Sequence, residues 1–290
     1  MSSSKKKQRD EDLALEQSAP SSRAVHRAIL YEGFEELARP SSALFWSALA
    51  AGLSMGLSLI AEGLLRAGLP EAPWRPLIVK LGYSMGFLVV VLGRQQLFTE
   101  NTLTAVLPVL RRRNRVTVWN LARLWTVVFA GNILGAFLFA IFLMWGNAFD
   151  QQVRTAFIEI GREALRHTGG DAVIRGVVAG WLIALMVWLL PLAAGARFWV
   201  IIAITYFVGL GSLTHVIAGS IEVFAIAAIN EWSWPGVLLS YTFPTLVGNS
   251  IGGILLVAAL NHAQVVAGQK SSRQREGDDV TVDPGAEKAA

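Results

Sequence analysis

The sequence predicts an all-α integral membrane protein with six membrane-spanning helices. Hydrophobic residues make up 53% of the 290-residue chain, and the mean hydropathy is +0.48. Six apolar runs are each long enough to cross a hydrocarbon core of roughly 30 Å as a helix. Backbone groups in such a core must bond within their own segment, which favours helices. The predicted spans are 42–65, 77–110, 118–145, 172–192, 198–228 and 237–260.

Composition argues against several other classes of protein. The chain contains no cysteine, so disulfides, thiolate metal sites and thiol nucleophiles are excluded. The net charge of +4 comes mostly from the tails and from arginines beside the spans, which indicates membrane topology rather than nucleic-acid binding. The His-Glu-x-x-His sequence of zinc peptidases does not occur, and an enzyme is not expected. We also expect no cofactor and no metal site.

Two polar tails are expected to flank the membrane domain. Residues 1–38 form a tail that ends in a short amphipathic helix at 24–37, residues 39–264 carry the six spans, and residues 265–290 form a disordered tail. Basic residues follow the second, fourth and sixth spans, and with six spans these positions fall on one side of the membrane. The positive-inside rule then predicts that both termini are cytoplasmic.

The second span is interrupted by the polar stretch 93–101, with the sequence GRQQLFTEN. A continuous helix would place Arg94 and Glu100 at bilayer depth, where charged groups are costly unless they face protein or a water-filled path. Gly93 and Pro108 weaken the helix on either side of this stretch. We therefore predict a break that lines a cavity, a candidate pore. Arg94 and Glu100 are expected to form an ion pair that pins the loop, with a role for Glu100 in transport as the alternative.

The two halves of the chain share three landmarks in the same order. Matching positions in the third and sixth spans are 117 residues apart, and those in the second and fifth spans have nearly the same separation. Matching positions in the first and fourth spans are 128 residues apart. The matched segments are 131–136 with 248–253, 97–99 with 213–215, and 51–52 with 179–180. Each half holds three spans, an odd number, so the second half is predicted to be inverted, a plan common among transporters.

His215 is the only histidine deep inside a predicted span, and the glycines and serine at 209–212 are expected to break the helix just before it. A titratable group at this depth is costly, which favours a functional role over a structural one. Thr99, Ser212 and Thr214 are its predicted neighbours, and helix N-termini beside them would attract an anion. We therefore expect a site for a small carboxylate or a nitrite-like ion. Four rings close to the breaks are expected to narrow the path, with plain core packing as the alternative: Phe98, Tyr83, Phe87 and Phe207.

These motifs together resemble those of the formate/nitrite transporter family and, within it, the YfdC-type branch. The resemblance extends over about residues 39–264. The segments that carry it are 93–101 in the second span, Gly131-Asn132 in the third, Thr214-His215 in the fifth and 248–253 in the sixth.

The resemblance implies an aquaporin-like protomer and a homopentamer in the inner (plasma) membrane with one pore in each subunit. It also implies transport of small monovalent anions such as formate or nitrite, through a pore lined by Thr99 and His215, with Leu97 and Phe98 in the same loop as Thr99. The family's asparagine beside the pore histidine falls on Gly180, so a hydrogen-bond partner of His215 is missing or replaced. The Asn-Pro-Ala sequence of ordinary aquaporins does not occur.

Three functions stay open on the sequence alone. In the first, a weak-acid anion is drawn to the loop amides, shares a proton with or through His215, and crosses the apolar constrictions in neutral form, because an ion there meets a desolvation cost of several kcal/mol. The second is a channel for a small neutral polar solute, suggested by Gln95, Gln96 and Gly180. The third is a non-conducting scaffold or sensor, suggested by Gly180, Glu100 and the charged tails.

Overall fold

The computed structural model describes residues 21–267, which are mostly helical and contain no strand. The predicted tails therefore lie largely outside the described residues. The helices are α1 (Ser22–Ala38), α2 (Ser41–Gly68), α3 (Arg75–Val79), α4 (Ser84–Leu92), α5 (Val106–Arg112), α6 (Arg115–Trp145), α7 (Gln151–Ala164), α8 (Gly169–Leu189), α9 (Arg197–Leu210), α10 (Val216–Ala228) and α11 (Trp234–Ala267). The last of these contains two π-helical stretches, Leu238–Thr242 and Ile254–Ala259.

The structure has helices at all six predicted spans. Five stretches of the described residues are long and apolar enough to cross a membrane, namely α2, α3 with α4, α6, α8 and α11. The fifth predicted span is divided into the shorter apolar helices α9 and α10. Two features differ from the prediction: α11 continues to Ala267, and the loop after the third span contains the helix α7. The predicted short helix near the N-terminus is present as α1.

Both broken spans end their first half in the same way. Arg94 and Ser212 each adopt a left-handed conformation, with φ of 51° and 48°, directly after a glycine. The next residue in each case donates its N–H back to a carbonyl near the helix end, Gln95 to Val90 at 2.9 Å and Leu213 to Val208 at 3.1 Å. This reversal is the usual way in which a helix stops at a left-handed residue. The chain then crosses the interior without α-helical structure until His215 in one half and until Val106 in the other, where a short 3-10 helix, Glu100–Thr102, lies within the break.

Helices α2 with α6, and α8 with α11, cross closely at matched glycines. An added Cβ at Gly52 would clash with the carbonyl oxygen of Asn132, and one at Gly180 would clash with that of Asn249. These two pairs are the landmarks that the repeat predicted for the first and fourth spans and for the third and sixth. Small residues permit such close approach in lipid. The glycines at these crossings are therefore packing residues.

Helix α10 is the central element of the fold, since every one of its residues is buried. It packs against α2, α6 and α7. Large side chains are instead exposed on the outer faces of the surrounding helices, among them Trp46, Trp119, Trp145 and Trp199. An exterior of this kind suits contact with lipid or with another subunit. The N-terminus of α10, where His215 lies, is consequently held in the protein interior.

Candidate functional site

The two helix breaks meet in the interior at Thr99 and His215. The Thr99 Oγ1 atom lies 2.8 Å from His215 Nε2, and both side chains are buried. The ring of Phe87 meets the imidazole nearly edge-on, with the two centroids 4.9 Å apart. The structure thus brings together two polar residues, 116 positions apart in the sequence, against an aromatic ring.

The hydrogen bonds of His215 determine which ring nitrogen carries the proton. His215 caps the N-terminus of α10, and its Nδ1 accepts the backbone N–H of Ala218 at 3.2 Å. Because a backbone N–H can only donate, Nδ1 is unprotonated, and the proton of the neutral imidazole lies on Nε2. Nε2–H therefore donates to Thr99 Oγ1. The hydroxyl proton of Thr99 is then free to donate to a further group.

Two asparagines fix the positions of the breaks. Asn132 Oδ1 accepts the backbone N–H of Phe98 at 2.9 Å, and Asn249 Oδ1 accepts that of Val216 at 2.8 Å. The Nδ2 atom of Asn132 donates to the carbonyls of Ala48 and Gln96, and that of Asn249 to the carbonyls of Gly176 and Thr214. The two N–H donors, of Phe98 and Val216, are 118 residues apart, and so are the two carbonyl acceptors, of Gln96 and Thr214. By this spacing the counterpart of Leu97 in the second half is His215. The sequence comparison, which paired 97–99 with 213–215, was shifted by two residues.

One cavity, of about 180 Å³, lies at the Tyr83 end of α4. Charged side chains from three helices or their ends line it, including Lys80, Glu163 and Glu222. Lys80 Nζ forms an ion pair of 2.6 Å with Glu62, which is completely buried. Thr214, Gly219 and Tyr241 also line this cavity, which we call the α7-side cavity.

A second cavity, of about 320 Å³, lies at the opposite end of α4, next to Val91 and Leu92. It is lined by Gln95 and Glu100 from the first break and by Glu32 and Glu36 from α1, and we call it the α1-side cavity. Phe87, between the ends of α4, is fully buried. The two cavities thus lie at opposite ends of α4, on either side of the Phe87 position.

The expected ion pair between Arg94 and Glu100 is not present. Arg94 instead pairs with Glu32 on α1 at 2.6 Å, while Gln96 Nε2 donates to Glu36 at 2.8 Å. The left-handed conformation of Arg94 directs the chain toward α1. Within the part of the chain that the structure describes, one carboxylate oxygen of Glu100 is buried without a hydrogen-bond partner.

The four rings expected to narrow the path divide into two groups. Phe87 contacts His215, and Tyr83 lines the α7-side cavity with its ring 5.4 Å from that of Phe87. Phe98 packs instead on Trp125 and Phe129 of α6, away from His215, although its backbone N–H belongs to the break. Phe207 is 59% exposed on the outside of α9 and cannot narrow an internal path in one subunit.

The remaining sequence-selected residues occupy structural positions around this pair. Thr214 is buried and donates its hydroxyl to the Ala172 carbonyl. Leu97 is buried in the first break. Gly180 packs directly against the backbone of Asn249. The missing asparagine side chain therefore leaves no empty space beside His215. Lys80 was not predicted as a site residue, because a lysine close to the end of a span ordinarily extends to the aqueous interface. Its ion pair with the buried Glu62 makes it notable.

The comparisons with known proteins agree on one family. The family model described as Formate/nitrite transporter matches residues 23–263. The chain is 39% identical over 275 residues to the inner membrane protein YfdC of Escherichia coli strain K12, covering 94% of this chain and 89% of that protein. It is 25% identical over 241 residues to the formate channel FocA of the same strain, covering 73% and 83%. A solved structure described as a pentameric formate channel with formate bound has a TM-score of 0.67 at 21% identity, covering 78% of this chain and 98% of that chain.

The match to the family model extends from α1 to α11, and the similarity to YfdC covers nearly the whole of both proteins. Membership of this family makes the protein a membrane channel or transporter rather than an enzyme. The chain belongs to the formate/nitrite transporter family.

Proposed function

We propose that this protein is a transmembrane channel for a small monovalent weak-acid anion, of the formate or nitrite type, which crosses the centre of the pore together with a proton. The observation that carries the proposal is the buried pair of Thr99 and His215, between cavities at the two ends of α4. Family membership and the similarity to formate channels support the choice of substrate class.

The permeant crosses the centre as a neutral acid. Each cavity is lined by basic as well as acidic side chains, Lys80 and Arg166 beside Glu222 in one and Arg94 and Arg197 beside Glu100 in the other, so an anion can approach either end of the path. Between them lies the buried ring of Phe87. Moving an ion into such surroundings costs several kcal/mol, whereas a protonated acid avoids most of this cost. Protonation before the constriction therefore couples anion flux to proton flux.

Thr99 is the direct hydrogen-bond donor to the permeant, and His215 orients it. Because Nε2–H of His215 donates to Thr99 Oγ1, the hydroxyl proton of Thr99 is left free to donate to the permeant. A second proton on the imidazole would have to bind Nδ1 and break the bond from the Ala218 N–H that caps α10. His215 therefore stays neutral, and the proton travels on the acid.

Stopped-flow flux into proteoliposomes with an internal pH dye tests the proposal. Wild type is expected to acidify the lumen on addition of formate, nitrite or acetate. Thr99→Val removes the donor and should slow this flux roughly 10-fold, since an unpaired polar group costs about 1–3 kcal/mol. The matched control Thr99→Ser keeps the hydroxyl and should retain most of the rate. Unchanged flux with unchanged pH dependence in His215→Phe would overturn the mechanism.

A second candidate is a channel for a small neutral polar solute. The buried ring of Phe87 and the neutral imidazole favour an uncharged permeant in either case. The same liposomes distinguish the two functions when urea flux is followed by light scattering. Urea flux that is indifferent to proton gradient and voltage, without weak-acid flux, would support this candidate. No flux of any solute from folded protein would support the non-conducting scaffold.

The proposed assembly is a homopentamer in the inner membrane with both termini in the cytoplasm. The pentameric state of the structurally similar formate channel and the location given in the name of YfdC support the first two points. The exposed arginines 111–113 lie on the side of α1. Because basic residues favour the cytoplasmic side, they support a cytoplasmic location of the termini. Because the chain has no cysteine, a single cysteine placed near either end can be tested for labelling in spheroplasts, and chemical cross-linking in membranes counts the subunits.

A further inference from the structure

An open groove lies where the end of α5 meets the end of α11, outside the proposed pore. Its volume is about 740 Å³. Arg111 and Arg113 line it at the end of α5 and His262 on α11, and Leu110, Ala263 and Val266 contribute apolar surface. We call this the basic groove. It combines a cationic edge with an apolar floor at the end of a membrane-spanning helix.

The two arginines of the basic groove are exposed and have no acidic partner among the described residues. Arg113 uses Nε to bond the Leu110 carbonyl at 3.2 Å, which leaves its terminal nitrogens directed elsewhere. No carboxylate lines the groove within residues 21–267. The positive charge at this place is therefore not neutralised by the described part of the protein.

A groove at the other end of the fold shows the contrast. It too is lined by two arginines, Arg66 and Arg75, but it also contains Glu71 and Glu159. Arg66 pairs with Glu159 at 2.9 Å, and Arg75 pairs with Glu71. The arginines of this second groove are thus paired with glutamates of the same protein, whereas those of the basic groove can pair with an external anion.

We propose that the basic groove binds an anionic phospholipid, with its phosphate between Arg111 and Arg113 and an acyl chain along Leu110, Ala263 and Val266. Guanidinium groups bind phosphate through paired N–H donors, and juxtamembrane arginines attract anionic lipid head groups. The apolar floor selects a lipid over a free phosphate ion, because an inorganic ion would leave that surface unused. The site is separate from Thr99 and His215, so it does not depend on the proposed transport function.

Native mass spectrometry of the full-length protein in mild detergent tests the site. The protein is titrated with phosphatidylglycerol, with phosphatidylcholine of the same chain lengths, and with glycerol 1-phosphate. The variant Arg111→Gln/Arg113→Gln is expected to bind phosphatidylglycerol roughly 30-fold more weakly than wild type, from a factor of about five for each arginine. Glutamine at 113 meets the same positive φ as arginine, so the backbone strain is unchanged.

The control is Arg115→Gln, which removes an exposed arginine from the same segment but outside the groove. It should bind phosphatidylglycerol like wild type. The proposal would be overturned if the double variant bound phosphatidylglycerol as tightly as wild type does. It would also be overturned if wild type bound phosphatidylcholine as tightly as phosphatidylglycerol, or if glycerol 1-phosphate displaced the bound lipid. Should the double variant fail to give folded protein by size-exclusion chromatography, the single variant Arg111→Gln, with Arg111→Lys as its partial rescue, gives the same comparison.

Discussion

Asn132 and Asn249 hold the two helix breaks with equivalent sets of three hydrogen bonds, although they lie in different halves of the chain. Each accepts one backbone N–H from a break and donates to two backbone carbonyls, one in the break and one in the helix it crosses. All six bonds are buried. Each asparagine therefore satisfies one backbone N–H and one backbone carbonyl at its break, in the segments that carry Thr99 and precede His215.

Replacing either asparagine should destabilise the protein and misplace the break. Asn132→Leu leaves one N–H and two carbonyls without their partner, and each unpaired buried group costs about 1–3 kcal/mol. We expect a clearly lower thermal unfolding temperature in detergent and loss of weak-acid flux. The control Asn261→Leu removes a single, half-buried bond to the Val257 carbonyl and should have a small effect. Equal stability of the two variants would contradict the anchoring role.

Gly180 should not tolerate a side chain. Gly180→Ala places a methyl group against the Asn249 backbone and should cost about 1–3 kcal/mol by overpacking. The same substitution at Gly170, earlier on α8, meets no atom within 4 Å and serves as the control. Thermal unfolding of the two variants measures the difference. Gly180→Asn, which inserts the residue expected from the family, should be more damaging still; a stable and faster-conducting variant would show that Gly180 belongs to the pore.

The breaks and the repeat could be predicted because each leaves a local signal. Polar residues inside an apolar run are costly in a bilayer, so 93–101 marked the first break, and a lone histidine after closely spaced glycines marked the second. The Gly-Asn motif of the third and sixth spans indicated the repeat. The meeting of Thr99 and His215 followed from placing the two breaks at one centre.

Side-chain direction could not be predicted in the same way. A helix that is apolar on all faces has no periodicity to separate its inner from its outer face, so the exposed Phe207 looked like a pore residue. The left-handed residue at Arg94 changes the direction of the chain, and helical spacing cannot be counted through it. The partner of Arg94, Glu32, lies on α1, whose position relative to the break depends on tertiary packing.

The ion pair of Lys80 and Glu62 should be needed as a pair rather than singly. Lys80→Met leaves the completely buried Glu62 without its cation, a change that typically costs about 3–5 kcal/mol. Adding Glu62→Leu removes the unpaired charge and should recover much of the lost stability. Thermal unfolding in detergent checks both variants, with Arg162→Gln, from an exposed pair with Glu231, as the control expected to change little. A double variant no more stable than Lys80→Met would contradict the prediction.

Docking of α1 should weaken in acid because of His26. Its Nε2 lies 3.1 Å from His262 Nδ1 on α11, and burial, His262 and Arg111 lower the pKa of His26 from its ordinary value of 6.5. Detached α1 would therefore bind a proton more readily than docked α1, so docking is strongest above pH 6.5 and weakens as the pH falls below it. A spin label on Tyr31→Cys, which is 67% exposed, should become more mobile between pH 7 and pH 5. His26→Asn removes the titrating ring and should abolish most of this pH dependence; an unchanged profile would assign the transition to other groups.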